Sequence, residues 1–214
     1  MKGFIFDLDG VIVSTDEYHF AAWNMLAERE HIPYGREVNA LQRGVSRMES
    51  LEILLRNAAK PYSDGEKQEM AAYKNSCYIR LIRNLRPGDI LEGVERFLAE
   101  SREKGIRCAV GSSSKNTAAI LRSIGLDGFF DAVADGTMIR NSKPHPEVFL
   151  LAARLMDLAV QECAVFEDAA SGIAAAKVAG MKAVAVGAAK DDPHADMGAQ
   201  SLACITVEQV LGLF

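Results

Sequence analysis

Long hydrophobic runs are missing from this 214-residue sequence. Its apolar stretches are short and broken by Gly, Asp or Lys, which excludes a bilayer-spanning helix of about 20 residues. Cysteine is scarce too. Cys77, Cys108, Cys163 and Cys204 are scattered, with no C-x-x-C, so they read as small core side chains and not as a disulfide framework. An excess of positive charge is also missing. The net charge of -5 argues against broad electrostatic binding to nucleic acid or acidic membranes. An anionic substrate must therefore be held by a few well-placed Lys and Arg residues. No secretory leader is visible, because Met1-Lys2-Gly3 runs straight into the strand-like Phe4-Ile5-Phe6, and a cytoplasmic protein is expected. What is present is a globular balance of 49% hydrophobic and 25% charged residues. A chain of this length buries roughly 70% of its unfolded surface and needs no metal or disulfide staple to fold.

Four short apolar runs recur, each followed by a small-polar turn and a helical pattern. They are Gly3–Phe6, Ile106–Gly111, Cys163–Phe166 and Lys182–Gly187, with a weaker fifth at Asp131–Ala134. Repeated strand, turn and helix predict a doubly wound α/β core, a parallel sheet covered on both faces. Helical patterns at Leu91–Lys104 and Thr117–Ile124 end at Gly105 and Gly125, as C-cap glycines would have it. Between Thr15 and Leu85 the rhythm changes, and only helical periodicity is seen. Asp16–His31, Ser46–Ala59 and Ser63–Arg83 read as helices, and Ser46 with Glu49 fits a capping box. About 70 residues without a strand is too long for an ordinary connection. The expectation is an inserted all-helical cap at 15–85, on a core of 1–14 and 86–214.

The first strand ends in Asp7-Leu8-Asp9-Gly10, two carboxylates at i and i+2 that would share one face. Taken alone, they could equally be solvated residues of a turn. Ser112-Ser113-Ser114-Lys115-Asn116 follows the second strand and suits a phosphate oxygen, or is simply a helix cap at Ser113 or Ser114. Lys143-Pro144-His145-Pro146 precedes the helix Glu147–Met156, and Glu167-Asp168 opens another helix. Their order is more telling than any one of them. Four successive strand ends would gather four carboxylates, a hydroxyl and an ammonium. Clustered carboxylates repel one another, and a Mg²⁺ held by Asp7, Glu167, Asp168 and the Asp9 carbonyl would offset this. Such a site suits phosphoryl transfer.

With Asp7-Leu8-Asp9-Gly10, Ser112, Lys143-Pro144 and Glu167-Asp168 in this order, the sequence resembles the haloacid dehalogenase superfamily of aspartyl-phosphate phosphotransferases. Within it, the sequence is most similar to the β-phosphoglucomutase family. The residues that carry this likeness are Phe6 to Ile12, Thr15, Glu17-Tyr18-His19-Phe20 and Ala22-Trp23, with Gly44-Val45-Ser46-Arg47 and Tyr73-Lys74-Asn75 in the cap. Arg43, Ser14, Ala169 and His145 depart from the family pattern without removing a catalytic group. Thr15, His19 and Trp23 also lie at i, i+4 and i+8, one face of a helix.

The resemblance implies a phosphosugar mutase that interconverts β-D-glucose 1-phosphate and glucose 6-phosphate. It implies an aspartyl-phosphate enzyme and a glucose 1,6-bisphosphate intermediate that doubles as activator. Asp7 is then the nucleophile and Asp9 the general acid and base, with Thr15, His19 and Lys74 positioning Asp9. Mg²⁺, Ser112 and Lys143 stabilise the transferring phosphoryl group. Trp23, Gly44, Val45, Ser46, Arg47, Ser113, Ser114, Lys115 and Asn116 bind the rest of the substrate. The partner is a small-molecule sugar phosphate, with neither nucleic acid nor membrane, and the expected state is a monomer. A sugar-phosphate phosphatase on the same scaffold is the alternative, and a phospho-acceptor signalling domain is disfavoured by the second aspartate and the cap.

Overall fold

The computed structural model describes residues 2–42 and 45–214. Arg43 and Gly44, singled out above, lie outside the described residues. Six strands form one parallel sheet: β1 (Gly3–Phe6), β2 (Arg107–Gly111), β3 (Ala132–Ala134), β4 (Cys163–Glu167), β5 (Lys182–Val186) and β6 (Met197–Ala199). Their spatial order is β3-β2-β1-β4-β5-β6, so the chain winds outward to one side of β1 and then to the other. In such sheets the crevice where the winding direction reverses is the natural ligand site. Here it lies at the carboxyl ends of β1, β2 and β4.

The two sheet faces are filled differently. One is aromatic: Phe4, Phe6, Phe97 and Phe166 are buried together, with Phe6 and Phe166 stacked at 4.6 Å. The other is built largely of alanines from β2, β3 and β5 and from α7 (Glu147–Leu155) and α8 (Ala170–Val178), with Phe149 as its one buried ring. Small side chains let these helices lie close to the strands. The central strands are buried along their whole length, which is why they read as unbroken apolar runs.

Between β1 and β2 the structure is helical: α1 (Asp16–Glu30), α2 (Arg36–Ala40), α3 (Arg47–Leu55) and α4 (Asp64–Ile82). This segment has its own small core, in which Trp23 and Leu26 of α1 meet Leu51 and Leu54 of α3 and Met70 and Ala71 of α4. The predicted capping box is formed: Glu49 N–H donates to Ser46 Oγ at 3.3 Å, and Ser46 N–H to Glu49 Oε2 at 2.8 Å. The chain leaves and re-enters the sheet layer at nearly one point. Val13 pairs antiparallel with Ile90, and Leu91 N–H donates to Ile12 O at 2.9 Å.

Three helices complete the core: α5 (Val94–Glu103), α6 (Thr117–Ser123) and α9 (Val207–Leu211). Gly105 and Gly125 follow α5 and α6 with positive φ, as their sequence positions predict. Three expectations are corrected. The helix after β2 is capped at Asn116 and not at Ser113 or Ser114, because those serines belong to a loop with its own hydrogen bonds. Cys204 is exposed, since in the turn Leu202–Cys204 it is Leu202 that turns inward. β1 ends at Phe6, so the pleat of a strand is not what aims Asp7 and Asp9.

Candidate functional site

A tight turn does that work instead. Gly10 N–H donates to Val13 O at 2.8 Å and Ile12 N–H to Leu8 O at 3.0 Å, folding 8–13 back across the end of the sheet. Gly10 takes φ +80°, and a Cβ there would overlap the Asp168 carboxylate, so only glycine lets this turn close against the acids. Gly172 in α8 is equally constrained, because a Cβ would overlap the Glu167 side chain. Asp7 N–H donates to Phe166 O at 2.9 Å, which ties the end of β1 to that of β4.

Asp7, Lys143 and Glu167 form a buried charged set. Lys143 is 1% exposed. Its Nζ lies 2.6 Å from Asp7 Oδ1 and donates a second, shorter bond to Glu167 Oε1. Burial disfavours the Lys143 charge, but the two carboxylates outweigh it and hold the ammonium above its ordinary range. Burial pushes the Glu167 carboxyl up, with Lys143 pulling against it. The desolvation penalty of burying such a set can exceed its attractions, so the set is weak evidence of stabilisation.

Asp168 completes the acids. Burial first, then the charges of Glu167 and Asp7, push its carboxyl up to about 8. One oxygen from each of Asp7, Glu167 and Asp168 lies within 4.8 Å of the others. Three hard oxygen donors in a partly dry crevice fit a divalent cation of the Mg²⁺ type. Asp9 sits beside them. The Thr15 hydroxyl donates to Asp9 Oδ1 in a short hydrogen bond. Burial, and then the negative charge of Asp7, raise the Asp9 carboxyl to about 7, where it can both give and take a proton near neutrality.

The helical segment closes over these groups. Thr15 precedes α1, and its carbonyl accepts the His19 N–H at 2.9 Å, so Thr15, His19 and Trp23 do share one face. His19 Nδ1 lies 2.8 Å from Lys74 Nζ of α4, and its ring stacks on Tyr78 with centroids 4.1 Å apart. Burial pushes Lys74 down to about 7, with the positive charge of Arg47 adding to it. Burial, and then Lys74, hold His19 well below its ordinary range. The Lys74 ammonium also stands 4.9 Å from the Trp23 ring centroid, so Trp23 serves the cap core and the cavity at once.

One cavity of about 1020 Å³ joins the two halves. Asp7, Asp9, Ser112 and Lys143 line it from the core, and Val45, Ser46, Arg47 and Lys74 from the helical segment. Ser113, Ser114, Lys115 and Asn116 line it as well, from the loop after β2. In that loop Ser112 Oγ accepts the Ser114 N–H at 3.1 Å and Ser114 Oγ the Asn116 N–H at 3.2 Å. Arg47, at the first turn of α3, has no carboxylate partner among the described residues. The described residues predicted for the site line this space, except Thr15 and Glu167, which are buried against Asp9 and Lys143 and do not reach it, and Gly44 falls outside the described residues. Residues not predicted join them: Asn39, Gln42 and Ser50, all buried, and Asn75. The Tyr34 hydroxyl lies 2.8 Å from the side-chain oxygens of both Asn39 and Gln42. Polar residues three apart in an otherwise helical stretch were the available signal.

The sequence pattern of haloacid dehalogenase-like hydrolases matches residues 1–180. The chain belongs to that family. Among the family's members, it is 42% identical over 210 residues to a β-phosphoglucomutase of Bacillus subtilis (strain 168), covering 97% of this chain and 93% of the relative. It is 30% identical to a phosphorylated carbohydrates phosphatase of Thermotoga maritima, over 100% and 98% of the two chains. A crystal structure of β-phosphoglucomutase from Clostridium difficile superposes with a TM-score of 0.94 at 37% identity, covering 100% of this chain and 96% of that one. Haloacid dehalogenase-like members thus include both mutases and phosphatases near this sequence. Among the described residues, no helix is long and apolar enough to cross a membrane.

Proposed function

We propose that this chain interconverts β-D-glucose 1-phosphate and glucose 6-phosphate, by way of a phosphorylated aspartate and glucose 1,6-bisphosphate. The observation that carries this reading is one cavity lined by Lys143 beside the acids and also by two further cations, Arg47 and Lys115. We read Asp7, Asp9, Asp168 and Lys143 as one end, while Arg47 and Lys115 with Ser114 and Asn116 offer a place for a second phosphate. A phosphatase needs only the first end. In a mutase the same bisphosphate binds in two orientations and needs both.

An Asp7 carboxylate oxygen attacks phosphorus, and the bond from phosphorus to the sugar oxygen breaks. Asp9, with a carboxyl raised to about 7, protonates the departing sugar oxygen and later takes the proton from the attacking hydroxyl. Thr15 holds the Asp9 carboxylate, and Lys74 holds His19 behind it. Lys143 and the Ser112 hydroxyl bear on the equatorial oxygens. Asp7, Glu167, Asp168 and the Asp9 carbonyl would hold Mg²⁺, which when bound supplies positive charge against those oxygens. Residues 15–85 act as a cap domain on a core of 1–14 and 86–214. Closing it excludes water, because hydrolysis of the phosphorylated Asp7 wastes a cycle.

The experiment is a paired assay with Mg²⁺, β-D-glucose 1-phosphate and a trace of glucose 1,6-bisphosphate. Glucose 6-phosphate and free phosphate are followed together, with the α anomer as control. Stoichiometric glucose 6-phosphate from the β anomer alone supports the mutase. Free phosphate as the main product overturns it in favour of a sugar-phosphate phosphatase, the activity named for the Thermotoga maritima relative.

A further inference from the structure

One contact in the cavity has no part in the chemistry above. The Asn116 carboxamide, at the core end of the loop after β2, donates from Nδ2 to Asn75 Oδ1 of α4 at 3.0 Å. Among the described residues, no other side-chain hydrogen bond joins 15–85 to 86–214. Both residues line the cavity on the side of Ser114 and Lys115. The Asn75 Nδ2 hydrogens have no acceptor among the described residues, and Asn116 keeps one of its two. A pair of carboxamides locked to each other with donors to spare is suited to an oxyanion, which accepts and does not donate.

Asn75 is also the residue after Lys74. Lys74 reaches His19 at 2.8 Å, His19 is fixed to Thr15 through its backbone, and Thr15 bonds Asp9. Where α4 sits against the 112–116 loop therefore decides where the groups behind Asp9 sit. A neutral amide bond shifts an open–closed balance by about fivefold, enough to bias closure and weak enough to break at every turnover. A charged pair across the same gap would hold the two halves together whether or not substrate was present.

We propose that Asn75 is a positioning residue that couples an occupied second-phosphate end to the acid–base carboxylate Asp9. An anion bound by Ser114, Lys115 and Asn116 orients the Asn116 carboxamide, and Asn75 then seats α4 with Lys74 and His19 in place. The inference rests on the two-ended reading of the cavity and names in Asn75 the residue through which the 112–116 loop would reach α4.

The test compares glucose 1,6-bisphosphate with acetyl phosphate, which phosphorylates Asp7 but has no second phosphate. In Asn75→Ala the KM for the bisphosphate is expected to rise about fivefold. Phosphate release from acetyl phosphate is expected to stay within about twofold, because alanine suits a helix and leaves the core untouched. In an Asn116→Ala background the added Asn75→Ala is expected to cost nothing further. Equal losses with both substrates would overturn the proposal, as would an Asn75→Ala penalty undiminished in the Asn116→Ala background. Should the parent protein release only free phosphate from the bisphosphate, the mutase reading fails, yet the KM comparison still decides the role of Asn75. Should it make glucose 6-phosphate while the comparison fails, only the coupling falls.

Discussion

The two ends of the cavity solve opposite problems. At the core end charge is packed dry: Lys143, 1% exposed, is wedged between Asp7 and Glu167, and glycines at 10 and 172 leave no slack around the acids. At the cap end Arg47 and Lys115 keep contact with water, and a neutral Asn75–Asn116 bond spans the gap. The rigid end suits a reaction whose charges must be met the same way each time. The looser end suits a site that must release, turn and rebind one molecule. Bond making is thus assigned to the sheet edge, and the fate of the phosphoryl group to the helices over it.

The sharpest break falls at the dry end. Asp7→Asn is expected to lower turnover by on the order of 10⁴-fold or more, read as glucose 6-phosphate formed per enzyme. Asp9→Ala is expected to cost about 10²–10⁴-fold with sugar phosphates. It should still accept a phosphoryl group from acetyl phosphate, whose leaving group needs no proton. Near-normal sugar turnover in Asp9→Ala would remove the acid–base assignment. A cap-end change is expected to be milder. His19→Ala should raise free phosphate relative to glucose 6-phosphate by a few fold, and an unchanged ratio would show that this histidine has no part in excluding water.

Two measurements on stability refine the contrast. Saturating Mg²⁺ is expected to raise the melting temperature of metal-free protein by roughly 5–10 °C, and Asp168→Ala should abolish most of that rise. Lys74 gives a pH-dependent effect. The unfolded chain holds its proton up to about 10.5 and the folded chain releases it near 7. The unfolded state therefore binds more protons in that window, and stability should rise with pH across it. Denaturant titrations of the parent and Lys74→Met should differ in slope only there.

The core end was legible in the sequence because its chemistry is local. Each acid, hydroxyl or lysine follows a strand whose apolar run announces it, and a parallel sheet brings such ends together. The cap end was legible only in part. Asn39 and Gln42 carry no motif, Asn75 reads only as the neighbour of Lys74, and all three matter because the fold of the helical segment brings them onto one space. Three elements also escaped. β6 is three residues without a β-branched side chain, and α2 and α9 are five residues each, too short for periodicity to register. The loop 112–116 misled for another reason: a run of serines satisfies the rule for a helix cap, while here the hydroxyls close turns within the loop itself.

The ribbon at Val13 and Ile90 has a mechanical consequence. Two extended segments bonded side by side bend easily across their plane and resist sliding within it. With Leu91 tied to Ile12 as well, the helical segment hangs from a strap and not from a pair of independent tethers. Such a strap leaves one soft direction, so the helices can swing toward or away from the sheet edge without drifting out of register.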